Sequence, residues 1–275
     1  MTWLKRTAQF ILISLLIWLT LNVAISFLLT MANPVDIPHG RTFFFQDVKE
    51  LLLTTDDGLQ IAAWHLPNDS SEHVIILLNG KGGNRKGMIR RAKFYLDKGF
   101  AIMMPDLRAT GESDGELIAM GWQEQKDLAS CYRYLQEFGY TQISAHGLSL
   151  GAATIAYSLD DDQPYEFMVL ESCYDNVDQA LANRLEPYYL PAFFLAGTKW
   201  LTEQRLGAKA STLRPEDYMH LAKAPTLIMA GDSEQKVKKE EKKTSVFLFC
   251  VCLFCVCVFV FFMCLYVCLR FSHLL

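Results

Sequence analysis

Hydrophobic and polar positions divide the chain into three zones. Residues 7–35 and 244–269 contain no charged side chain, whereas the zone between them mixes charged and apolar residues throughout. In that middle zone, short apolar runs alternate with stretches of helical period. The pattern therefore predicts a globular domain between two apolar segments, each of which needs its own explanation.

The middle zone predicts alternating strands and helices. The run His73–Leu78 is continuously apolar after its first residue, as expected for a parallel strand covered on both faces. Asp56-Asp57-Gly58 separates two apolar runs and predicts a β-hairpin turn. The alternation predicts an α/β fold with a mostly parallel sheet, helices on both faces and an antiparallel first hairpin. The predicted strands are Val48–Thr55, Leu59–Leu66, His73–Leu78, Phe100–Met104, Thr141–Ala145, Phe167–Leu170 and Thr226–Ala230, and the predicted helices end at Asp97 or cover Trp122–Phe138 and Ala152–Leu159.

The N-terminal zone, residues 1–35, predicts a transmembrane anchor. Phe10–Met31 is 22 residues long, and a helix of that length rises about 33 Å, enough to cross a hydrocarbon core of roughly 30 Å. Lys5 and Arg6 precede it, so the positive-inside rule predicts a cytoplasmic N-terminus and a domain on the opposite side of the membrane. A cleaved signal peptide is the alternative, although its apolar region usually covers only about 7–15 residues.

The C-terminal zone, residues 236–275, has two interpretations. Its Cys/Phe/Val-rich run is long enough for a second transmembrane segment. However, it contains no Ala or Gly, and the lysines between positions 236 and 243 would lie on the outer side, against the positive-inside rule. Its alternation of Cys and Val is also what repeated TG nucleotides encode. A frameshift artefact is therefore the second interpretation.

Composition limits the classes of partner. The formal net charge of −4 over 275 residues gives no basic surface of the kind that binds nucleic acid, so no nucleic-acid partner is expected. Six of the eight cysteines lie in the C-terminal zone. Cys131 and Cys173 remain in the domain, in neither a disulfide framework nor a metal-ligand spacing.

The sequence Gly147-Leu148-Ser149-Leu150-Gly151 carries the chemistry. This G-x-S-x-G pattern lies directly between a predicted strand and a predicted helix, which is the context of a nucleophile elbow. The flanking glycines, Gly147 and Gly151, remove side chains that would clash around the tight turn. The N–H of Leu150 would face the carbonyl under attack from a helix N-terminus, where partial positive charge stabilises an oxyanion. Ser149 is therefore the candidate nucleophile.

Three stretches together resemble the α/β-hydrolase superfamily. They are Leu78–Asn84, in place of the family's His-Gly-x-Gly-Gly oxyanion loop; Asp106–Gly115, similar to its D-x-R-G-x-G-x-S-x-G segment; and Ala145–Ala152, the elbow. Within the superfamily, the chain is similar to the serine-aminopeptidase-like and monoacylglycerol-lipase-like branch, whose members often carry an N-terminal membrane anchor. The resemblance covers roughly Val48–Gln235, inside a hydrolase domain expected over residues 36–235.

The resemblance implies roles for further residues. The Lys81 N–H would be the second oxyanion donor, although Asn79 stands where the family has histidine. A phosphate-binding loop is the alternative for Gly80–Gly83, but the GK[ST] ending is absent. Asp106, Arg108 and Ser113 would hold the loop beneath the site. Glu234 matches the catalytic acid, with Asp232 as the alternative.

No histidine can be assigned as the general base that a serine nucleophile needs. The family takes it from a segment after the acid, where this chain has only His273, inside the C-terminal zone. His146 is next to the elbow, but its strand position points it away from Ser149. The other histidines are expected to be structural or exposed, and they are His39, His65, His73 and His220.

Residues 175–222 occupy the usual position of a lid. They are rich in Leu, Tyr, Phe and Ala, which favours an acyl or lipid-like substrate, although ordinary helix packing explains the composition equally well. The resemblance implies a membrane-anchored serine hydrolase of esters, thioesters or amides that uses no cofactor and no metal. Because the family's last strand and helix are missing from the pattern, the alternative is a catalytically inactive remnant.

Overall fold

A seven-stranded mixed sheet forms the centre of the protein. The computed structural model describes residues 2–44, 47–159, 165–178, 180 and 192–229. The sheet strands are β2 (Lys49–Thr54), β3 (Gln60–Leu66), β4 (His73–Leu78), β5 (Ala101–Pro105), β7 (Gln142–Leu148), β8 (Met168–Glu171) and β9 (Thr226–Met229). Their order in the sheet is β2-β3-β5-β4-β7-β8-β9. The β2–β3 and β3–β5 pairs are antiparallel, and the other neighbouring pairs are parallel.

Helices cover both faces of this sheet. α2 (Ile89–Leu96) covers one face, and α3 (Gln125–Phe138) and α4 (Leu150–Tyr157) cover the other. α1 (Thr2–Thr30) and α5 (Ala192–Leu206) pack against each other. Short 3₁₀ helices occur at Gly40–Thr42, Arg85–Met88, Ala210–Thr212 and Pro215–Leu221. A two-stranded parallel ribbon joins β1 (Asn33–Pro34) to β6 (Thr110–Gly111).

The central strand β4 shows why the fold forms. Its alternate side chains point to opposite faces, with Val74, Ile76 and Leu78 packed against α3 and α4, and Ile75 and Leu77 packed on the α2 side. All five are completely buried. A strand enclosed in this way must be apolar at every position, so its continuous apolar run is a consequence of its central place.

The structure confirms the predicted fold class and moves several boundaries. α1 begins at Thr2 instead of Phe10, because no proline or glycine interrupts the helix before it, and α3 begins at Gln125 instead of Trp122. β7 continues to Leu148, because Gly147 still pairs with β4 and β8, and α4 already begins at Leu150. The expected turn at the elbow is therefore a single residue.

β9 is the edge of the described sheet on the side away from the hairpin. It pairs with β8, while Leu227, Ile228 and Met229 are exposed. Residues 230–275, which include the predicted C-terminal zone, lie outside the described part of the chain.

Candidate active site

Ser149 is the junction between β7 and α4, and its backbone is strained. Its φ is +50° and its ψ is −103°, in a region that residues with a Cβ rarely adopt. The Ser149 amide donates a 2.7 Å hydrogen bond to the Glu171 carbonyl oxygen, and the Ser149 carbonyl accepts one of 3.0 Å from the Ala153 amide. These two bonds hold the residue, half-buried, at the carboxyl edge of the parallel strands.

The two glycines of the elbow are required by close backbone approach. A Cβ on Gly147 would lie 2.3 Å from the Gly151 carbonyl carbon and 2.4 Å from the Ala152 nitrogen. A Cβ on Gly151 would lie 2.6 Å from both the Cβ and the carbonyl oxygen of Leu78. Both positions therefore exclude any side chain, as the sequence pattern predicts.

Leu150 is the first residue of α4 and is buried. The first amides of a helix have no intrahelical acceptor, and they carry the positive end of the helix dipole. The Leu150 N–H thus belongs to a set of backbone donors beside the strained serine. Within the part of the chain that the structure describes, the Ser149 hydroxyl itself has no hydrogen-bond partner.

The loop after β4, residues 79–83, lies against the end of β7. A Cβ on Gly80 would approach the Leu148 carbonyl oxygen to 3.4 Å, so the two backbones are close neighbours next to Ser149. The Gly80 carbonyl accepts hydrogen bonds from the Gly83 amide at 3.0 Å and from Asn79 Nδ2 at 3.0 Å. Asn79, in the family's histidine position, is buried, and its Oδ1 has no hydrogen-bond partner among the described residues.

The same loop contacts the end of α1. Lys81 Nζ donates to the Leu28 carbonyl oxygen at 3.5 Å, and Asn33 Nδ2 donates to the Gly82 carbonyl oxygen at 2.9 Å. Sequence reasoning missed this connection. The signal available was Asn33, a polar residue three positions after the end of the apolar helix, which by itself does not identify a partner.

His146 belongs to a polar cluster on the α2 face of the sheet. Its Nδ1 lies 3.1 Å from the Tyr95 hydroxyl, and its Nε2 lies 3.3 Å from Glu171 Oε2, which also accepts hydrogen bonds from Arg91. Burial lowers the pKa of the His146 imidazole. Burial acts to raise the pKa of the Glu171 carboxyl, but hydrogen bonding and the charge of Arg91 lower it overall. The contacts agree with a structural role, and no described contact joins His146 to the Ser149 hydroxyl.

The other described histidines also have partners elsewhere. His65 is fully buried and lies 3.2 Å from the hydroxyls of both Tyr134 and Tyr140. His39 pairs with Glu50, His73 stacks on Phe100, and His220 Nδ1 lies 2.7 Å from the Asp217 carbonyl oxygen. Over the described residues, therefore, no histidine is placed as the base of Ser149.

Two buried ion-pair groups hold the segment that follows β5. Asp106 accepts hydrogen bonds from the backbone amide and the guanidinium of Arg85. Arg108 binds Asp127 and Asp57. Ser113 Oγ donates to the Asp106 carbonyl oxygen at 2.7 Å and accepts from the Ala62 amide at 2.9 Å. Asp106, Arg108 and Ser113 thus have the loop-holding contacts expected of them.

Several predicted site elements fall outside the described residues. Glu234, Asp232 and His273 lie beyond Met229. The predicted lid is described in part, over 175–178, 180 and 192–222. Its described portion contains α5, and Leu206, Ala210 and Leu213 pack in one apolar cluster with residues of α1.

Comparison with known proteins places this geometry in a fold. No protein-family model matches the chain. It is similar to the uncharacterized protein YqkD of Bacillus subtilis, 25% identical over 186 residues that make up 66% of this chain and 61% of the relative. It is also similar to the uncharacterized membrane protein YNL320W of Saccharomyces cerevisiae, 23% identical over 186 residues, 65% of this chain and 63% of the relative. The matches thus span about three fifths of each relative's length.

Solved structures give the clearer result. The Pyrococcus furiosus esterase Pf2001 matches with a TM-score of 0.57 and 21% identity, over 80% of this chain and 97% of that protein. The alpha-beta hydrolase ABH of Vibrio vulnificus matches with a TM-score of 0.52 and 17% identity, over 73% of this chain and 69% of that one. The chain has the α/β-hydrolase fold.

Proposed function

We propose that the protein is a membrane-anchored serine hydrolase that cleaves an ester, thioester or amide through an acyl-enzyme on Ser149. The observation that carries the proposal is the strained backbone of Ser149, which has a positive φ between a strand and a helix. Close contacts around it leave no room for a side chain at Gly147 or Gly151. Strain of this kind persists where the surrounding structure enforces it, and such residues concentrate at functional sites. The structural neighbour Pf2001 is named as an esterase, which agrees with this chemistry.

In the proposed reaction, Ser149 Oγ attacks the substrate carbonyl carbon and forms the acyl-enzyme. The bond to the leaving group breaks, and the hydroxyl proton passes through a base to that group. The N–H groups of Leu150 and Lys81 would donate to the developing oxyanion. Water then attacks the acyl carbonyl and restores the serine. Glu234, or Asp232 in its place, would orient the base, for which no described residue is placed.

Membrane attachment is the second part of the proposal. Trp3–Thr30 form a helix long and apolar enough to cross a membrane, and most of its side chains are exposed. One curated relative carries the name of a membrane protein. With Lys5 and Arg6 at its start, the helix would place the N-terminus in the cytoplasm and the hydrolase domain on the other side. The narrower similarity to the serine-aminopeptidase-like and monoacylglycerol-lipase-like branch favours a small-molecule or lipid-like acyl substrate.

A fluorophosphonate probe on the full chain in membranes tests the chemistry. The expected result is a covalent adduct on Ser149, located by mass spectrometry of the tryptic peptides and lost in Ser149→Ala. Ser158→Ala is the matched control, because Ser158 lies at the other end of α4 and bonds Tyr165. An adduct distributed over several serines, or unchanged in Ser149→Ala, contradicts the proposal.

A catalytically silent hydrolase fold is the second candidate. It is favoured by the histidine contacts, since all five described histidines are engaged away from Ser149. For this candidate, the full chain gives no Ser149 adduct even at long exposure to the probe, although it is folded.

A further inference from the structure

The two ends of α1 lie in different surroundings. Over the first two thirds of the helix, apolar side chains such as Leu16, 53% exposed, point away from the protein. From Asn22 onward the inner face is buried, including Ser26 and Thr30. The helix therefore leaves the domain near residue 22, and its last turns are part of the folded structure.

A regular polar seam joins these last turns to α5. Thr198 Oγ1 donates to Asn22 Oδ1 at 2.7 Å, and Thr202 Oγ1 donates to Ser26 Oγ at 3.2 Å. One turn further on, Arg205 Nε donates to Thr30 Oγ1 at 2.8 Å. From one hydrogen bond to the next, the residue number increases by three or four in both helices, so α1 and α5 run parallel.

The seam brings the two helix backbones close together. Gly197 is buried, and a Cβ there would lie 2.4 Å from a ring carbon of Trp18 and 2.8 Å from Asn22 Oδ1. Small residues at the contact with hydroxyl and amide side chains bonded across it are the means by which helices associate inside membranes. The beginning of α5 thus lies beside the part of α1 that leaves the domain.

The number of residues that a helix needs to cross a bilayer indicates where the membrane boundary lies along α1 and α5. A helix crosses the hydrocarbon core with about 20 residues, and that length counted from Thr7, the first residue after the basic pair, ends at Ser26. Ser26 bonds Thr202, so the boundary of the bilayer lies at that turn of α5. Trp200 lies at this level and is 57% exposed. Tryptophan is enriched at such interfaces.

The charged groups at this level fit an interface as well. Lys199 Nζ pairs with Asp178 at 2.8 Å, and both side chains are partly exposed. The Arg205 guanidinium lies 3.6 Å from the centre of the Phe27 ring, on the domain side of the boundary. In the first turns of α5, the exposed side chains that the structure describes are Ala196 and Trp200, and both are uncharged.

The rim of the candidate active site lies at the same end of α1. Lys81 contacts the Leu28 carbonyl, and Asn33 contacts the Gly82 carbonyl. The Ile118 amide also donates to the Thr30 carbonyl oxygen at 2.9 Å. The loop beside Ser149 is therefore tied to the membrane-proximal turns of the helix.

We infer that α1 and α5 form one composite surface that docks in a lipid bilayer, with the first turns of α5 beside the inserted part of α1 and Trp200 at the boundary of the hydrocarbon core. This holds the 79–83 loop and Ser149 next to the membrane. Resting on the proposed function, the substrate class that this placement selects is an acyl lipid resident in the bilayer.

Photocrosslinking of the full chain in vesicles of equal parts phosphatidylcholine and phosphatidylglycerol tests the surface without requiring activity. The photoreactive residue p-benzoylphenylalanine replaces Trp200, Ala196, Leu16 or Phe94 in four separate variants, of which the first two lie on α5. Phe94 is the matched control, because it is 57% exposed, as Trp200 is, but lies on α2. The expected result is lipid adducts at Leu16, Trp200 and Ala196 and only background at Phe94.

Each other outcome overturns the inference. Adducts at Leu16 with only background at Trp200 and Ala196 mean that α1 alone is in the bilayer. Equal adducts at Phe94 and Trp200 mean that α5 has no special contact, and no adduct at Leu16 means that α1 is not inserted. Fluorophosphonate labelling of Ser149 in the same vesicles is scored separately, so loss of catalysis and loss of docking give different results.

Discussion

Asn33 Nδ2 donates a 2.9 Å hydrogen bond to the carbonyl oxygen of Gly82. Asn33 follows the last turns of α1, and Gly82, with a φ of +74°, lies in the loop that would supply the Lys81 amide to an oxyanion. The bond therefore orients the Gly82–Gly83 peptide, which lies in the same loop, two peptide units after the proposed donor. It also joins two segments that are 49 residues apart in sequence.

Removal of this bond is predicted to slow acylation of Ser149. In Asn33→Ala the Gly82 peptide loses its side-chain partner while the β1–β6 backbone pairing remains. Because a misplaced oxyanion donor acts on the transition state, we expect a roughly tenfold lower rate of fluorophosphonate labelling. Thermal stability is expected to change little. The labelling rate is measured on the full chain in vesicles, from samples in which the reaction is quenched at successive times.

Asn68→Ala is the control for this variant. Asn68 Nδ2 likewise donates to a glycine carbonyl, that of Gly99, at 2.8 Å, but far from the elbow in the fold. Its labelling rate is expected to match the unmodified chain. Equal rates for Asn33→Ala and the unmodified chain would show that the bond does not position the loop.

Substitution of the second elbow glycine is predicted to disrupt packing. In Gly151→Ala the new Cβ would lie 2.6 Å from Leu78 atoms in the central strand, so β4 and α4 must separate. Overpacking of this kind costs about 1–3 kcal/mol. The control is Gly87→Ala, where a Cβ meets nothing within 4 Å. Urea unfolding of the detergent-solubilised chains compares the two, and an equal effect of both variants would contradict the structure.

The sequence predicted those features whose cause is local. β4 and the elbow could be located because an enclosed strand must be apolar and a one-residue turn requires glycines, and both requirements are visible in the residues themselves. The seam between α1 and α5 could not be predicted. Its partners Asn22 and Thr198 are 176 residues apart, and in the sequence Asn22 is only one polar residue in an apolar helix. The histidine contacts depend in the same way on tertiary neighbours.

His65 is predicted to make stability depend on pH. Burial, with a smaller contribution from Lys49, lowers the pKa of the buried imidazole from 6.5 to about 4. The unfolded chain therefore binds more protons between these values. The free energy of unfolding is therefore highest, as far as His65 determines it, above pH 6.5, and it decreases as the pH falls towards 4. The loss is on the order of 2–3 kcal/mol.

The difference between the unmodified chain and His65→Gln isolates this effect. Glutamine keeps hydrogen-bonding groups near Tyr134 and Tyr140 but does not titrate. The unfolding free energies of the two chains, measured in urea from pH 7.5 down to 4, are expected to converge as pH falls, and the unmodified chain should lose its advantage. Two parallel curves would mean that His65 has the same pKa in the folded and unfolded chains.

Separation of α1 from α5 is predicted to release α5 from the membrane while α1 stays inserted. Gly197→Leu places a side chain where a Cβ alone would lie 2.4 Å from Trp18, so the parallel pair must open. Lipid crosslinking from position 200 is expected to fall towards background, while crosslinking from position 16 is retained. Ala196→Leu is the matched control, since Ala196 is exposed on the same helix, and it should leave both signals unchanged. Retained crosslinking at position 200 in Gly197→Leu would show that α5 reaches the bilayer without the seam. The contact with α1 would then only accompany the docking of α5 and would not cause it.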